Sequence, residues 1–512
     1  MTAHPPPDRT LYEWFAESAA RHPGAPALVV HGRTVTYDEL RRCAEALAGR
    51  ITAGHGTPRR VALLASRSLV AFAGYLAALR LGAVVVPLNP RFPEQRNLAA
   101  CEAAGVDLVL ADPSAPVPAP GPWRVLALID AELDPTAAAP DLPAHRADPA
   151  GVAYVLFTSG STGRPKGVPI GHRQLSAYLA HNIGRFAVGP GCRVSHTFDL
   201  TFDPSVFDLF VTWGAGATLV VPQRAELLAP VDYLVDNGIT HWFSVPSVIS
   251  VSARLGKLRG RAEALRHSLF IGEQLTAEQA RAWQGIAPRS DITNVYGPTE
   301  LTVACTEYTL PADVADWPRT SNGTVPIGEV YPFLEHLVLD ERGAPATEGE
   351  LVVRGAQRFA GYLDPADDAG RFLAFDGTAA TAYDGSAPLD AAHYYRTGDR
   401  VRREPAGWVH LGRLDDQVKI RGYRVELGDV EATLRRHEGV TDAVVLARRD
   451  GTDVELIGCY TGAALDPREL VRWLGRQLPT HMVPRRLRHL PDLPLNANGK
   501  VDRGGLAAVV LD

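Results

Sequence analysis

The chemistry in this sequence is densest in ten residues, Thr158-Ser159-Gly160-Ser161-Thr162-Gly163-Arg164-Pro165-Lys166-Gly167, which follow directly on the apolar run Ala153 to Phe157. They hold four hydroxyls, three glycines and one lysine. Glycines let a backbone approach closely, N–H groups and hydroxyls donate, and a lysine adds charge, so the stretch suits a polyphosphate. It is not a Walker A loop, because GxxxxGK[ST] does not match. Lysine is scarce: Lys166, Lys257, Lys419 and Lys500 are the only four among 52 basic residues. A flexible ammonium differs from a planar guanidinium, so a lysine kept in such a chain is a candidate for work arginine cannot do. Asn498-Gly499 predicts a tight turn that presents Lys500 at its tip. Asp199, Asp203 and Asp208 crowd into one short stretch. A buried carboxylate facing a pocket needs a cationic partner to stay charged.

These groups need a scaffold. The 512 residues exceed what one core usually holds, so at least two domains are expected. With 46% apolar and 21% charged residues the composition is that of a globular chain, not a disordered or fibrous one. A net charge of −6 argues against a general nucleic-acid binder. No run reaches the ~18 apolar residues of a membrane helix, and the polar, Pro-rich start is not a secretory signal. The five cysteines are widely spaced with no CxxC pair. They read as reduced thiols of a cytoplasmic protein, not as a disulfide frame or zinc site.

Short β-rich runs alternate with helical spacing from Arg59 to Pro246, which predicts α/β layers with mostly parallel sheets. A helix from Val70 should end at Gly82. Beyond about residue 320 the texture turns to short strands with Gly- and Asp-containing turns, among them Gln417 to Leu427. A small α+β unit follows, with a helix that Asp466 should cap and Pro467 should open. The expected division is a large domain over 1–411 and a small domain over 412–512.

In order along the chain, several stretches match one pattern. The loop from Thr158 is joined by Thr36-Tyr37-Asp38-Glu39-Leu40, Gly82 to Pro90, Asn294-Val-Tyr-Gly-Pro-Thr-Glu300 and Gly349 to Leu363. Tyr395-Arg-Thr-Gly-Asp399, Gly412 to Gly422 and Asn496-Ala-Asn-Gly-Lys500 complete it. The chain thereby resembles, over nearly its whole length, the adenylate-forming superfamily of acyl-CoA synthetases, luciferases and nonribosomal-peptide-synthetase adenylation domains. The resemblance implies a large N-terminal domain of layered α/β subdomains with a small β-barrel-like part, and a small mobile α+β C-terminal domain. It also implies ATP and Mg²⁺.

In such a reaction a carboxylate attacks the α-phosphate of ATP, so the site must align two anions and neutralise their charge. The resemblance places Lys500 between substrate carboxylate and α-phosphate. Thr158 to Gly163 and Lys166 would hold phosphates, Thr299 would bond one, and Glu300 would offer Mg²⁺ a hard oxygen. Tyr296 would lend adenine a ring face. Gly272 and Asn294 would line the nucleotide site, and Asp399 and Arg413 would take the ribose. Asp415 would be the hinge, with Lys419 and Gly422 approaching the site when the thioester forms. The sequence departs from its amino-acid-activating relatives at His410, where tyrosine is common.

Asp203 matches the residue that pairs with a substrate ammonium in the amino-acid enzymes. The pocket wall would be Pro204, Phe207, Ser244, Leu269, Ile271, Val295, Val303 and Ala304. No acid or base among them faces the side chain, and Ile271 should shorten the pocket, so a small apolar amino acid is expected. A β-amino acid held by Asp199, and an acyl- or aryl-CoA ligase, are the alternatives. A catalytically dead scaffold is disfavoured, because Lys166, Glu300, Asp399 and Lys500 are all present. No carrier domain is seen after Lys500, so the acceptor is expected to be the phosphopantetheine thiol of a separate acyl or peptidyl carrier protein, or coenzyme A. Arg485, Arg486 and Arg488 are candidates for docking an acidic carrier.

Overall fold

The computed structural model describes residues 8–114, 116, 119, 121–136, 140–145, 148–158, 165–450, 453–494 and 501–510. Local signals explain many element ends. Thr36 and Glu39 form a reciprocal capping box on the helix Tyr37–His55. The helix Leu69–Arg80 starts at an Ser68 cap. It stops where Gly82 takes φ 72° and the Ala83 N–H reaches back to the Ala78 carbonyl at 2.9 Å. Asp466 caps Pro467–Leu474 by accepting from the Arg468 N–H.

Two layered sheets build the larger part. In one of six strands, Arg124–Ala127, Leu108–Ala111, Arg60–Leu64, Val84–Leu88 and Val152–Thr158 run parallel, and Lys166–Gly171 returns antiparallel beside the last. The other has nine strands, with the parallel core Thr218–Val220, Arg193–Ser195, His241–Ser244, His267–Phe270 and Asp291–Tyr296. Helices cover them around a continuous apolar core that includes Phe15, Tyr37, Phe72, Trp213 and Phe243. A third sheet is antiparallel. It pairs Glu348–Gly355, Tyr394–Glu404 and Gly407–Arg413, among others, and carries Asp399 directly opposite Arg413.

The stretch from Gln417 to Leu427, expected as one strand, is instead a hairpin of Gln417–Ile420 and Tyr423–Glu426. Arg421 and Gly422 turn it with φ 50° and 83°, as a two-residue type I′ connection requires. The strands Val440–Asp450, Asp453–Gly462 and Arg486–His489 form a separate three-stranded sheet. With the helices Leu427–Leu434 and Pro467–Leu474 they enclose their own core around Val425, Val430, Val445 and Leu474. Each of these fully buried side chains contributes roughly 2 kcal/mol. This smaller unit meets the larger one through Arg96 and Asp429, 3.4 Å apart and both largely buried.

Candidate active site

The hairpin turn reaches into a crevice between the sheets. A cavity of about 350 Å³ there is lined by Gly272, Asn294, Val295, Tyr296, Asp399, His410, Arg413 and Lys419. Asp399 is its centre of charge. It accepts from the Tyr296 hydroxyl at 2.7 Å, lies 2.9 Å from His410 Nε2 and 3.3 Å from Arg413. Burial opposes ionisation of Asp399, but Arg413, His410 and Lys419 outweigh it and hold the carboxyl far below the usual range. Arg413 also grips both oxygens of Asp415, at 2.8 and 2.7 Å. Asn294 donates its amide to the Val325 and Pro326 carbonyls, pinning the adjacent loop. Gly272 has φ 90° and faces Gly422, whose Cα would lie 3.4 Å from any Cβ placed there.

A second cavity of about 40 Å³ adjoins the first and shares Gly272, Asp399, Arg413 and Lys419 with it. Asp203, Pro204, Ile271, Thr299, Val303 and Arg424 are among the other residues of its wall. Burial and nearby Glu300 push the Asp203 carboxyl up to about 7, against Lys419 and a hydrogen bond from Thr299. Val303 and its neighbour Thr302 have φ 70° and 59°, uncommon for β-branched residues. Gln357 enforces this bend: its side-chain nitrogen shares its two protons among the Leu301, Thr302 and Ala304 carbonyls, and its backbone carbonyl accepts from the Thr302 hydroxyl.

The other expected wall residues stand further back. Phe207, on a short π-helical turn, packs edge-on against Phe243. The Ser244 hydroxyl accepts from Trp242. Leu269 and Ala304 are buried in the core. Asp199 caps its own turn through the Thr201 N–H and hydroxyl. Asp208 is fully buried beside His196, and burial raises its carboxyl far above the ordinary value.

Glu300 is buried between the two regions. It accepts from Tyr362 at 2.7 Å, and Arg424 of the hairpin lies 3.0 Å from each of its oxygens. Burial opposes its charge, yet Arg424 and Tyr362 keep it ionised below the usual value. Lys166 sits over the Tyr362 ring and pairs with Asp367 at 3.0 Å. Thr158, opposite Lys166 across its strand pair, lines a small space with Asp203, Thr299 and Arg424. Ser159, Gly160, Ser161, Thr162, Gly163 and Lys500 lie outside the described residues. No group of three or more His, Cys, Asp or Glu is placed to hold a metal ion among the described residues. A single buried carboxylate such as Glu300 is of the type that can give Mg²⁺ one oxygen beside substrate phosphates and water, once Arg424, here against both of its oxygens, has moved away.

The AMP-binding enzyme model matches residues 15–363, and the AMP-binding enzyme C-terminal domain matches 429–500. The chain belongs to the AMP-binding enzyme family. This AMP-binding enzyme is 36% identical, over 97% of its length, to phosphinothricin tripeptide synthetase PhsC of Streptomyces viridochromogenes, but spans only 45% of that relative. It is 32% identical to the L-proline--[L-prolyl-carrier protein] ligase of Pseudomonas fluorescens, covering 98% of itself and 99% of that ligase. Its fold matches the Vibrio cholerae adenylation domain AlmE in complex with glycyl-adenosine-5'-phosphate with a TM-score of 0.80. Identity there is 26%, and coverage is 98% of this chain and 97% of that one. The layered α/β body and small C-terminal unit are thus those of adenylation domains. No helix among the described residues is long and apolar enough to cross a membrane.

In this AMP-binding enzyme several site contacts have no counterpart in the sequence reading. Arg424 and Gln274 line the crevice, Tyr362 bonds Glu300 behind it, and Gln357 holds the Leu301–Ala304 bend. Lys419 lines the crevice, with Nζ 5.7 Å from the centre of the Tyr296 ring. Burial lowers its ammonium below the ordinary value, while Asp399 and Asp203 resist. A further cleft of about 850 Å³ runs along the hairpin and is lined by Arg91, Arg421, Tyr423, Arg448, Arg485 and Arg486.

Proposed function

We propose that this enzyme activates a small apolar amino acid with ATP as aminoacyl-AMP and then transfers it to the phosphopantetheine thiol of a separate carrier protein. One observation carries the reading. The buried Asp203 carboxylate, raised to about 7, faces a cavity of about 40 Å³ closed by Pro204, Ile271 and Val303, beside the cavity that holds Asp399. A substrate ammonium would add a close cationic partner to the weaker opposing influence of Lys419. The likeness to the prolyl-carrier ligase and to the glycyl-adenylate complex supports both substrate class and acceptor.

In this reading Asp399 and Arg413 hold the ribose, while Tyr296, Asn294 and Gly272 wall the base. The loop from Thr158 to Gly163, Lys166 and Thr299 take the phosphates. Glu300 would hold Mg²⁺, which neutralises phosphate charge. Lys500 aligns the attacking carboxylate with the α-phosphate. Phe207, Ser244, Leu269, Val295 and Ala304 support the amino-acid wall from behind. The domains 1–411 and 412–512 would pivot at Asp415. The inserted hairpin, with Lys419 and Gly422 in the crevice and Arg424 on both Glu300 oxygens, fits the thioester-forming arrangement. The arginine-lined cleft beside it fits a phosphate-bearing thiol arm. Engagement of Asp199 with Thr201 weighs against a β-amino acid held there.

ATP–pyrophosphate exchange across α- and β-amino acids and fatty and aryl acids tests the reading. Exchange should be fastest with an alanine-sized α-amino acid. Exchange only with an acid lacking an amine would overturn it.

A further inference from the structure

His410 stands where the sequence departs from the pattern it otherwise follows, and its surroundings are built for a different contact. It lies on Gly407–Arg413, opposite Val401, just past the bulge that follows Asp399 and Arg400. Its ring is 5.9 Å from that of Tyr296 and lines the 350 Å³ cavity. The Gln274 side-chain nitrogen lies 2.8 Å from the His410 carbonyl and 3.1 Å from His410 Nδ1. A carbonyl only accepts, so the Gln274 atom there is the amide N–H₂ donor. Nδ1 must then accept as well, which puts the imidazole proton on Nε2. That proton points at Asp399 Oδ1, 2.9 Å away. Asn322 holds the same His410 carbonyl at 2.9 Å, fixing the strand from the other side.

The other Asp399 oxygen already accepts from Tyr296 and has the Arg413 guanidinium 3.3 Å away as an ion-pair partner. His410 is the donor on the first oxygen, so it decides the rotation of the carboxylate about its own axis. We propose that His410, with its tautomer set by Gln274, is a positioning residue that aims Asp399 at the ribose hydroxyls of the nucleotide. This rests on the reading of the larger cavity as the nucleotide site. In this role the histidine acts on the nucleotide through Asp399.

The test uses the full chain with its best amino acid. ATP is varied in pyrophosphate exchange, and AMP binding is measured by calorimetry. His410→Phe and His410→Asn should raise the KM for ATP and the Kd for AMP by about ten- to a hundredfold, as expected when a charged acceptor loses a hydrogen bond. The kcat should stay within about threefold, since the loss falls on binding. His410→Gln should recover most of the affinity, because its amide nitrogen falls where imidazole Nε2 stood. A merely structural role would not separate Gln from Asn. Melting temperatures report folding. Should the ring variants fail to fold, Gln274→Leu leaves the ring in place and should still raise the KM for ATP several-fold. Wild-type affinity in His410→Phe, or equal behaviour of Gln and Asn, overturns the proposal alone. A wild-type chain that binds no adenine nucleotide overturns the reading of the cavity with it.

Discussion

Asp399 and Asp203 line adjoining cavities, are 2% and 6% exposed, and are driven in opposite directions. Asp399 is surrounded by protein partners: Tyr296 and His410 hydrogen-bond it and Arg413 pairs with its charge. Its charge is stabilised before any ligand arrives. Asp203 has Thr299 and the more remote Lys419 against burial and Glu300, and its carboxyl rises to about 7. One carboxylate belongs to a preorganised recognition surface, whose polar ligand competes only for orientation. The other belongs to a site whose missing member is the ligand's own cation.

Charge removal should separate the two most sharply. Asp203→Ala leaves a substrate ammonium buried without a partner, at a cost of about 3–5 kcal/mol. Amino-acid-dependent exchange should fall by about 10²- to 10⁴-fold in kcat/KM for the amino acid, with AMP binding measured by calorimetry nearly unchanged. Asp399→Asn should do the reverse. Nucleotide affinity should drop about ten- to a hundredfold as charge-assisted bonds are lost, while the amino-acid KM moves little. If both variants impair both substrates equally, the division of labour between the cavities is wrong.

Protonation probes the same contrast at a smaller scale. Only ionised Asp203 pairs with an ammonium. Amino-acid affinity of the free enzyme should therefore rise with pH up to about 7, falling about tenfold per unit below it. Stability has the opposite sign for this residue. Its folded-state carboxyl binds a proton more tightly than the unfolded chain does, so its contribution is complete at low pH and is lost as pH rises through about 7. Asp399 is depressed instead, so its contribution is present above the ordinary carboxylate range and disappears only as acid protonates it. Across pH 4 to 9 the urea midpoint of Asp203→Asn should lose a downward slope, whereas Asp399→Asn should run parallel to the wild type there and lose an upward slope only in acid below the ordinary carboxylate range.

The same contrast shows what the sequence made legible. Asp203, Glu300 and Asp399 come from three separated motifs and converge on one crevice, and strands such as Arg60–Leu64 and Val84–Leu88 follow from their apolar runs. The Asp466 cap follows from local chemistry. What stayed hidden depends on distant register. Arg424 meets Glu300 across 124 positions, and Gln357 reaches back 53 to 56 positions to the Leu301–Ala304 bend. Arg421-Gly422 carried a turn signal, but the apolar β-rich residues on both sides masked it as a continuous strand. Asn498 to Lys500 and Ser159 to Gly163 fall outside the described residues, so their expected places rest on the motifs.

The smallest expected effect concerns shape and leaves both charges in place. Ile271 is 2% exposed, follows the strand His267–Phe270 and tethers its N–H to the Ser244 carbonyl at 3.1 Å. Its side chain closes the small cavity opposite Asp203. Ile271→Ala removes three carbons there while keeping the backbone bond. A pocket discriminates by about 1–3 kcal/mol per methylene. Exchange with an alanine-sized substrate should therefore weaken several-fold, while valine- or leucine-sized amino acids gain about tenfold. AMP affinity and the pH profile should not change, because no charge has moved. Side-chain preference that stays fixed would place the specificity wall elsewhere, on the buried layer of Phe207, Ser244 and Leu269.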